Sequence, residues 1–222
     1  MLAIYENTYG PDHPRVATAL NNLGRVLYDQ GEYAAAGPLY ERALAIQEKA
    51  LGPDHPNLAT TINNLANLRA SEKKYDQAQA LFRRALAIRE KALGPDHPDV
   101  GWSLGDLGVL LRDRGDYAAA EPQFQRALAI FERRHVGEGV AWTLNDLAIL
   151  NRKRGDLATA ESYFQRAIHE FETAMGPTHP DLAKCLDQYA SLLRQMGRTA
   201  DAEAAEARAR GIRSGSSAAT IK

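Results

Sequence analysis

Four histidines, His13, His55, His97 and His179, stand in one recurring string, Gly-Pro-(Asp/Thr)-His-Pro, at Gly10–Pro14, Gly52–Pro56, Gly94–Pro98 and Gly176–Pro180. Imidazoles flanked by carboxylates could hold a metal, but each histidine lies one repeat from the next. That separation is on the order of 10 Å, too far for four ligands to share a tetrahedral ion. Helix capping and loop packing suit the string better. The catalytic patterns are missing: there is no Gly-x4-Gly-Lys-Ser/Thr, no serine nucleophile elbow and no His-Glu-x2-His. Gly101, Gly105 and Gly108 fall inside a predicted helix with no strand before them, unlike a phosphate loop. No catalytic residue, metal ligand or cofactor is expected. What remains is recognition chemistry. Trp102 and Trp142 occupy equivalent positions in adjacent repeats, and Arg112, Arg152 and Arg194 share another position. Asn recurs at Asn21, Asn63 and Asn145, although helix-interior Asn costs about half a kcal/mol. An extended peptide presents an N–H and a C=O at each residue, and Asn amides can satisfy both. Trp and Arg are the side chains most enriched in binding hot spots.

Composition narrows the classes of partner. The 222 residues are 25% charged with a formal net charge of −1, so no global field draws in nucleic acid or an anionic membrane. Cys185 is the single cysteine, which excludes a disulfide framework and makes a cytoplasmic location the default expectation. The first residues, Met-Leu-Ala-Ile-Tyr-Glu-Asn, do not form a signal peptide, and no window approaches the 18 apolar residues of a membrane span.

Stepping along the chain, Gly10, Gly52 and Gly94 are separated by 42 residues, and Gly176 follows after 82. A damaged signature, His135-Val-Gly-Glu-Gly-Val140, divides that longer step. A second marker, Arg-Ala-Leu-Ala-Ile at Arg42, Arg84 and Arg126, then Arg-Ala-Ile-His at Arg166, keeps the same phase. Two markers in phase mean tandem repeats and a stacked solenoid rather than one globular core. Each repeat reads as two helices. In the first, helix A spans about Pro14 to Gln30, with Pro at a first-turn position and Asp12 or His13 as cap. Gly31 breaks the chain, as do Gly115, Gly155 and Gly197 later, and helix B spans about Tyr33 to Leu51. Small residues face each other: Gly24, Ala66, Gly108, Ala148 and Ala190 on helix A, and Ala36, Ala78, Ala120, Ala160 and Ala202 on helix B. The aromatics Tyr40, Phe82, Phe124 and Phe164 then fill the space beside that close approach, each worth on the order of 2–3 kcal/mol of apolar burial.

Leu-Gly/Ala on helix A, Gly-x-Tyr at the turn and Ala-x3-Tyr/Phe-x2-Ala on helix B resemble the tetratricopeptide repeat. The 42-residue unit with Gly-Pro-Asp-His-Pro and Leu-Asn-Asn-Leu-Gly/Ala, at Leu20–Gly24 and Ile62–Ala66, resembles the kinesin-light-chain type. The resemblance covers about residues 1–210. It implies an all-α, right-handed superhelical solenoid in which helix A lines the concave side. It also places Asn21, Arg25, Tyr28, Asn63, Asn67, Trp102, Arg112, Trp142, Asn145, Arg152, Lys184 and Arg194 in a peptide-binding groove. The expected occupant is a protein or peptide segment, acidic around an aromatic anchor. For Trp102 and Trp142 the competing expectation is packing between neighbouring A helices; for the arginines it is ion pairing with Asp113 or another neighbour.

The domain map reads as a partial helix B (1–9), repeats at 10–51, 52–93, 94–135, 136–175 with a degenerate loop, and 176–213, and a disordered tail at 214–222. The start in mid-helix suggests an excised piece. In the last helix B, Thr199 and Glu206 replace the turn and core aromatics, as suits a polar cap. The short fourth loop reads either as surface drift or as a local change in curvature. The functional expectation is a non-enzymatic interaction scaffold. The alternatives are a regulatory array of a larger signalling ATPase or transcription regulator, and a self-association module. The sequence leaves the oligomeric state open.

Overall fold

A computed structural model describes residues 2–219. Among these there are eleven helices and no strand: α1 (Leu2–Tyr9), α2 (Pro14–Asp29), α3 (Tyr33–Leu51), α4 (Leu58–Ser71), α5 (Tyr75–Leu93), α6 (Pro98–Arg114), α7 (Tyr117–Arg134), α8 (Gly137–Arg154), α9 (Leu157–Met175), α10 (Pro180–Gln195) and α11 (Thr199–Ala219). The predicted boundaries of the first repeat, 14–30 and 33–51, differ from the observed ones by a single residue. Residues 1–110 and 111–222 form two compact halves.

The histidine string acts as a cap and staple. His13, His55, His97 and His179 each accept a hydrogen bond at Nδ1 from the backbone N–H two residues on, at 3.2, 3.2, 3.1 and 3.3 Å. Each bond engages one of the N–H groups that a helix start leaves unpaired. The preceding Asp12 and Asp54 bond elsewhere, to Lys49 and Lys91 of the following helix B, at 2.8 and 3.3 Å.

The aromatic register follows the sequence. Tyr40, Phe82, Phe124 and Phe164 are 0–2% exposed, and the facing alanines Ala36, Ala78, Ala120 and Ala160 are fully buried. The approach is close enough that a Cβ on Gly24 would meet the Tyr40 ring at 2.9 Å. The second repeat has Lys73 at the turn, held at φ 60°, where other repeats place glycine.

Two features depart from the sequence reading. First, α11 continues through Ala219, although a disordered tail was expected from residue 214. The run Ser214–Ala219 holds no proline, and Arg213 ties this helix to Asp187 at 2.6 Å. Residues 220–222 of that expectation lie outside the described residues. Second, the degenerate fourth loop is a close-packed junction. A Cβ on Gly139 would stand 2.5 Å from the Phe131 ring, and one on Gly137 would stand 2.7 Å from Ala174 Cβ. Glycine at both places lets α8 approach its neighbours more closely than any other residue would allow.

An element the sequence reading missed is an ion-pair ladder along the B helices. The arginine of the Arg-Ala-Leu-Ala-Ile marker pairs with a glutamate one repeat back: Arg42 with Glu6 at 2.8 Å, Arg84 with Glu48 at 2.7 Å and Arg166 with Glu132 at 3.3 Å. Arg208 and Glu172 continue it. Arg42 and Arg84 also donate to the Pro11 and Pro53 carbonyls of the histidine loops, at 3.2 and 2.7 Å. The signal was present in the constant 36-residue offset between Glu6 and Arg42 and between Glu48 and Arg84. Such exposed pairs contribute about 0–1 kcal/mol each, so the ladder sets repeat register more than stability.

Candidate functional site

Within residues 1–110, the A helices α2, α4 and α6 are joined by side-chain amides. Asn64 Nδ2 donates to Asn21 Oδ1 at 3.0 Å, and Asn63 Nδ2 donates to Asp106 Oδ2 at 2.9 Å. Tyr28 and Ser71 share a hydroxyl hydrogen bond at 2.9 Å. Asn21 and Asn63 therefore find partners on neighbouring A helices. Burial pushes the Asp106 carboxyl above the usual carboxylate range, against the Asn63 hydrogen bond and the Arg89 charge. Burial pulls the Arg89 guanidinium down, opposed by Asp99 and Asp106, and Arg89 donates to the Ser103 hydroxyl. Arg25 is exposed, while Asn67 and Trp102 are half-buried.

A groove opens where α2 and α4 flank the C-terminal half of α3. Its walls are Thr18, Asn21, Asn22, Thr60 and Thr61; Gln47 and Leu51 form the floor, with Pro14 and Asn57 at the helix starts. None of these side chains is charged. Gln47 is 8% exposed, and its Oε1 has no hydrogen-bond partner. Asn63 Oδ1 is likewise buried without a partner. A buried acceptor without a partner costs on the order of 1–3 kcal/mol, which a donor arriving from a ligand would relieve.

Within residues 111–222, the cationic positions have internal partners. Arg112 is 9% exposed; its Nε donates to Asp113 at 3.0 Å and its Nη1 to Asp146 at 2.5 Å. Burial pulls this guanidinium down, and the two carboxylates outweigh it to hold it above the usual arginine range. Arg152 donates to the Gln188 carbonyl and side chain at 3.4 and 3.3 Å, and burial lowers its pKa. Arg194 grips Glu206 at 2.9 Å, and Lys184 pairs with Asp181 at 2.8 Å. Arg112 and Arg194 are thus ion-paired with carboxylates, whereas Arg152 bonds neutral oxygens of Gln188. Trp142 stands edge-on to Phe171 of α9, with ring centroids 5.3 Å apart at 87°. It therefore packs within its own helix pair. Asn145 is 6% exposed and its Oδ1 has no partner.

One helix-B position explains why the two halves differ. Gln47, Arg89, Phe131 and Phe171 are equivalent in the repeat. Phe131 and Phe171 are 1% and 0% exposed and close the floor against Gly139 and Trp142, whereas Gln47 leaves it polar and open.

Burial pushes the Cys185 thiol up to about 12, far from a reactive thiolate. Among the described residues no group of three or more His, Cys, Asp or Glu could hold a metal ion, and no helix is long and apolar enough to cross a membrane.

Comparison with known proteins agrees with this architecture. The tetratricopeptide repeat family profile matches residues 2–36, 15–91, 58–133 and 139–214. No curated protein matches the chain by sequence. Among solved structures, the chain is similar to BtubC (BKLC) from P. vanneervenii, at 22% identity over 92% of this chain and 82% of that one, with a TM-score of 0.75. A Podosopora anserina putative kinesin light chain with nearly identical TPR-like repeats gives 21% identity, 92% and 98% coverage and a TM-score of 0.72. The Rap conjugation gene regulator of the plasmid pLS20, in complex with the Phr* peptide, gives 17% identity over 84% of this chain and half of that one, with a TM-score of 0.72. The paired helices, the small-residue contacts with their aromatic fillers, and profile matches along most of the sequence lead to one conclusion: the chain belongs to the tetratricopeptide repeat family, as an all-α repeat solenoid.

Proposed function

We propose that this chain is a non-catalytic interaction scaffold that takes an extended peptide segment of a partner protein along its A-helix faces. The observation that carries this reading is the set of buried amide oxygens without partners, at Gln47, Asn63 and Asn145, on or beside those faces. A peptide main chain supplies N–H donors that such acceptors can take, as in strand and groove recognition generally. The Rap regulator's complex with a peptide supports the same use of the fold.

In this reading Asn21, Asn63, Asn67 and Asn145 serve the peptide backbone. Tyr28, Trp102 and Trp142 offer aromatic surface to an apolar anchor. Arg25, Lys184 and Arg194 are the exposed cations for acidic residues. Arg112 and Arg152 act behind them, because an incoming carboxylate would have to displace Asp146, Asp113 or Gln188 first.

Selection from a displayed peptide library tests the proposal, with the Asn63→Ala/Asn145→Ala double variant as counter-screen. Enriched peptides that bind the parent at about micromolar affinity and the variant at least tenfold more weakly support it. Enrichment of the same peptides by both proteins, or no enrichment, overturns it.

A further inference from the structure

The groove between α2 and α4 is lined only by uncharged residues and has a buried acceptor at its floor. Gln47 is more than nine-tenths buried, and its Oε1 has no partner. Around it stand the hydroxyls of Thr18, Thr60 and Thr61 and the amides of Asn21 and Asn22. Asn21 has its Oδ1 occupied by Asn64, so what it offers the groove is its Nδ2 donor. A group that donates to Gln47 and accepts from Asn21 or a threonine hydroxyl therefore matches the site. A neutral amide does both. A carboxylate cannot donate, and it would find no cation among the lining residues. An ammonium would find no carboxylate there.

The repeat supplies an internal control. The equivalent of Gln47 is Arg89 in the second repeat, where it faces Ser103, Asp99 and Asp106. In the third and fourth repeats it is Phe131 and Phe171, both buried. The polar, open floor is thus a property of Gln47 and not of the fold.

We infer that the Gln47 groove is an amide-selective subsite, which reads a neutral amide group of the bound peptide in the α2–α4 region. This inference rests on the peptide-scaffold reading and adds the chemistry that one place selects. The amide could come from an Asn or Gln side chain or from the peptide main chain.

Small probes separate these sources without a known partner. Backbone and side-chain amide signals of the ¹⁵N-labelled protein are followed during titration with acetamide, N-methylacetamide and acetate. Saturable shifts at Thr18, Asn21, Gln47 and Thr60 with acetamide, and none there with sodium acetate, are expected. A response to acetamide alone assigns the site to a side-chain carboxamide; an equal response to N-methylacetamide assigns it to the main chain. Gln47→Leu, which keeps the volume and removes the acceptor, should weaken the response about tenfold. Gln47→Phe, which copies the third and fourth repeats, should abolish it. The same spectra report whether each variant is folded. Equal shifts with acetate, no saturable shift, or an unchanged response in folded Gln47→Leu overturns the inference. Peptides selected by the parent protein without an amide response would sink this subsite alone. An amide response without any selected peptide would sink the scaffold reading and leave the subsite standing.

Discussion

The α2–α4 groove and the α8–α9 pair are built on the same repeat template but make opposite use of one position. Gln47 floors the first with a polar amide whose oxygen has no partner. Phe171 fills the second, edge-on to Trp142, while Phe131 closes against the α8 glycine Gly139. Cations likewise differ between units: Arg25 is exposed on α2, whereas Arg112 on α6 is buried between Asp113 and Asp146. The two regions show how units that share a fold differ at one position: where the floor is aromatic it is closed by packing, and where it is polar it holds a hydrogen-bond acceptor without a partner.

The largest test of this contrast is truncation at the equivalent positions. Phe131→Ala and Phe171→Ala should each lose about 3–5 kcal/mol of stability in urea titrations, and Gln47→Ala about 1 kcal/mol or less. Equal losses at Gln47 and Phe171 would mean that the floor of the first groove is as structural as that of the fourth repeat.

Ion pairs give the next effect. Arg112→Ala leaves two carboxylates beside a buried vacancy and should cost about 3 kcal/mol. Arg194→Ala breaks a pair whose side chains are 47% and 30% exposed, and should cost about 1 kcal/mol or less. Salt should erode the second effect much more than the first. If Arg112→Ala is as mild as Arg194→Ala, the Arg112 cluster is open to solvent and available to an acidic ligand.

Glycine substitutions sharpen the comparison further. Gly139→Ala forces a Cβ into the Phe131 ring and should destabilise by about 1–3 kcal/mol. Gly105→Ala, with no atom within 4 Å of the added Cβ, should stabilise α6 by about 0.5–1 kcal/mol. Thermal melts of the two single variants should therefore move in opposite directions.

The smallest effect is a pH dependence at Asp106. Its folded-state pKa is raised by burial, so its contribution is fully present below the unfolded value of 3.8 and is lost as pH rises through the folded value. The stability of the parent relative to Asp106→Asn should decline over that window and stay flat on either side. A difference that instead grows with pH would show that the Asn63 bond and the Arg89 charge outweigh desolvation.

Much of this molecule is legible in its amino-acid order. The 42-residue phase, the helix limits at Pro14 and Leu51, the close contact at Gly24, the buried row Tyr40, Phe82, Phe124 and Phe164, and the capping role of the histidines all depend on interactions within one helix pair or its loop. Such interactions repeat with the sequence, so periodicity reveals them. The partners of inner-face side chains are set differently, by the offset between successive A helices, which a one-dimensional pattern does not contain. Asn63 reaches Asp106 and Asn64 reaches Asn21, although the two asparagines are neighbours in sequence. Arg112 reaches Asp146, while its counterpart Arg152 reaches Gln188. Tertiary structure alone decided which of these polar groups are spent on neighbouring helices, and that Gln47 Oε1, Asn63 Oδ1 and Asn145 Oδ1 are buried without a partner, because burial and hydrogen-bond geometry arise only when the helices stack.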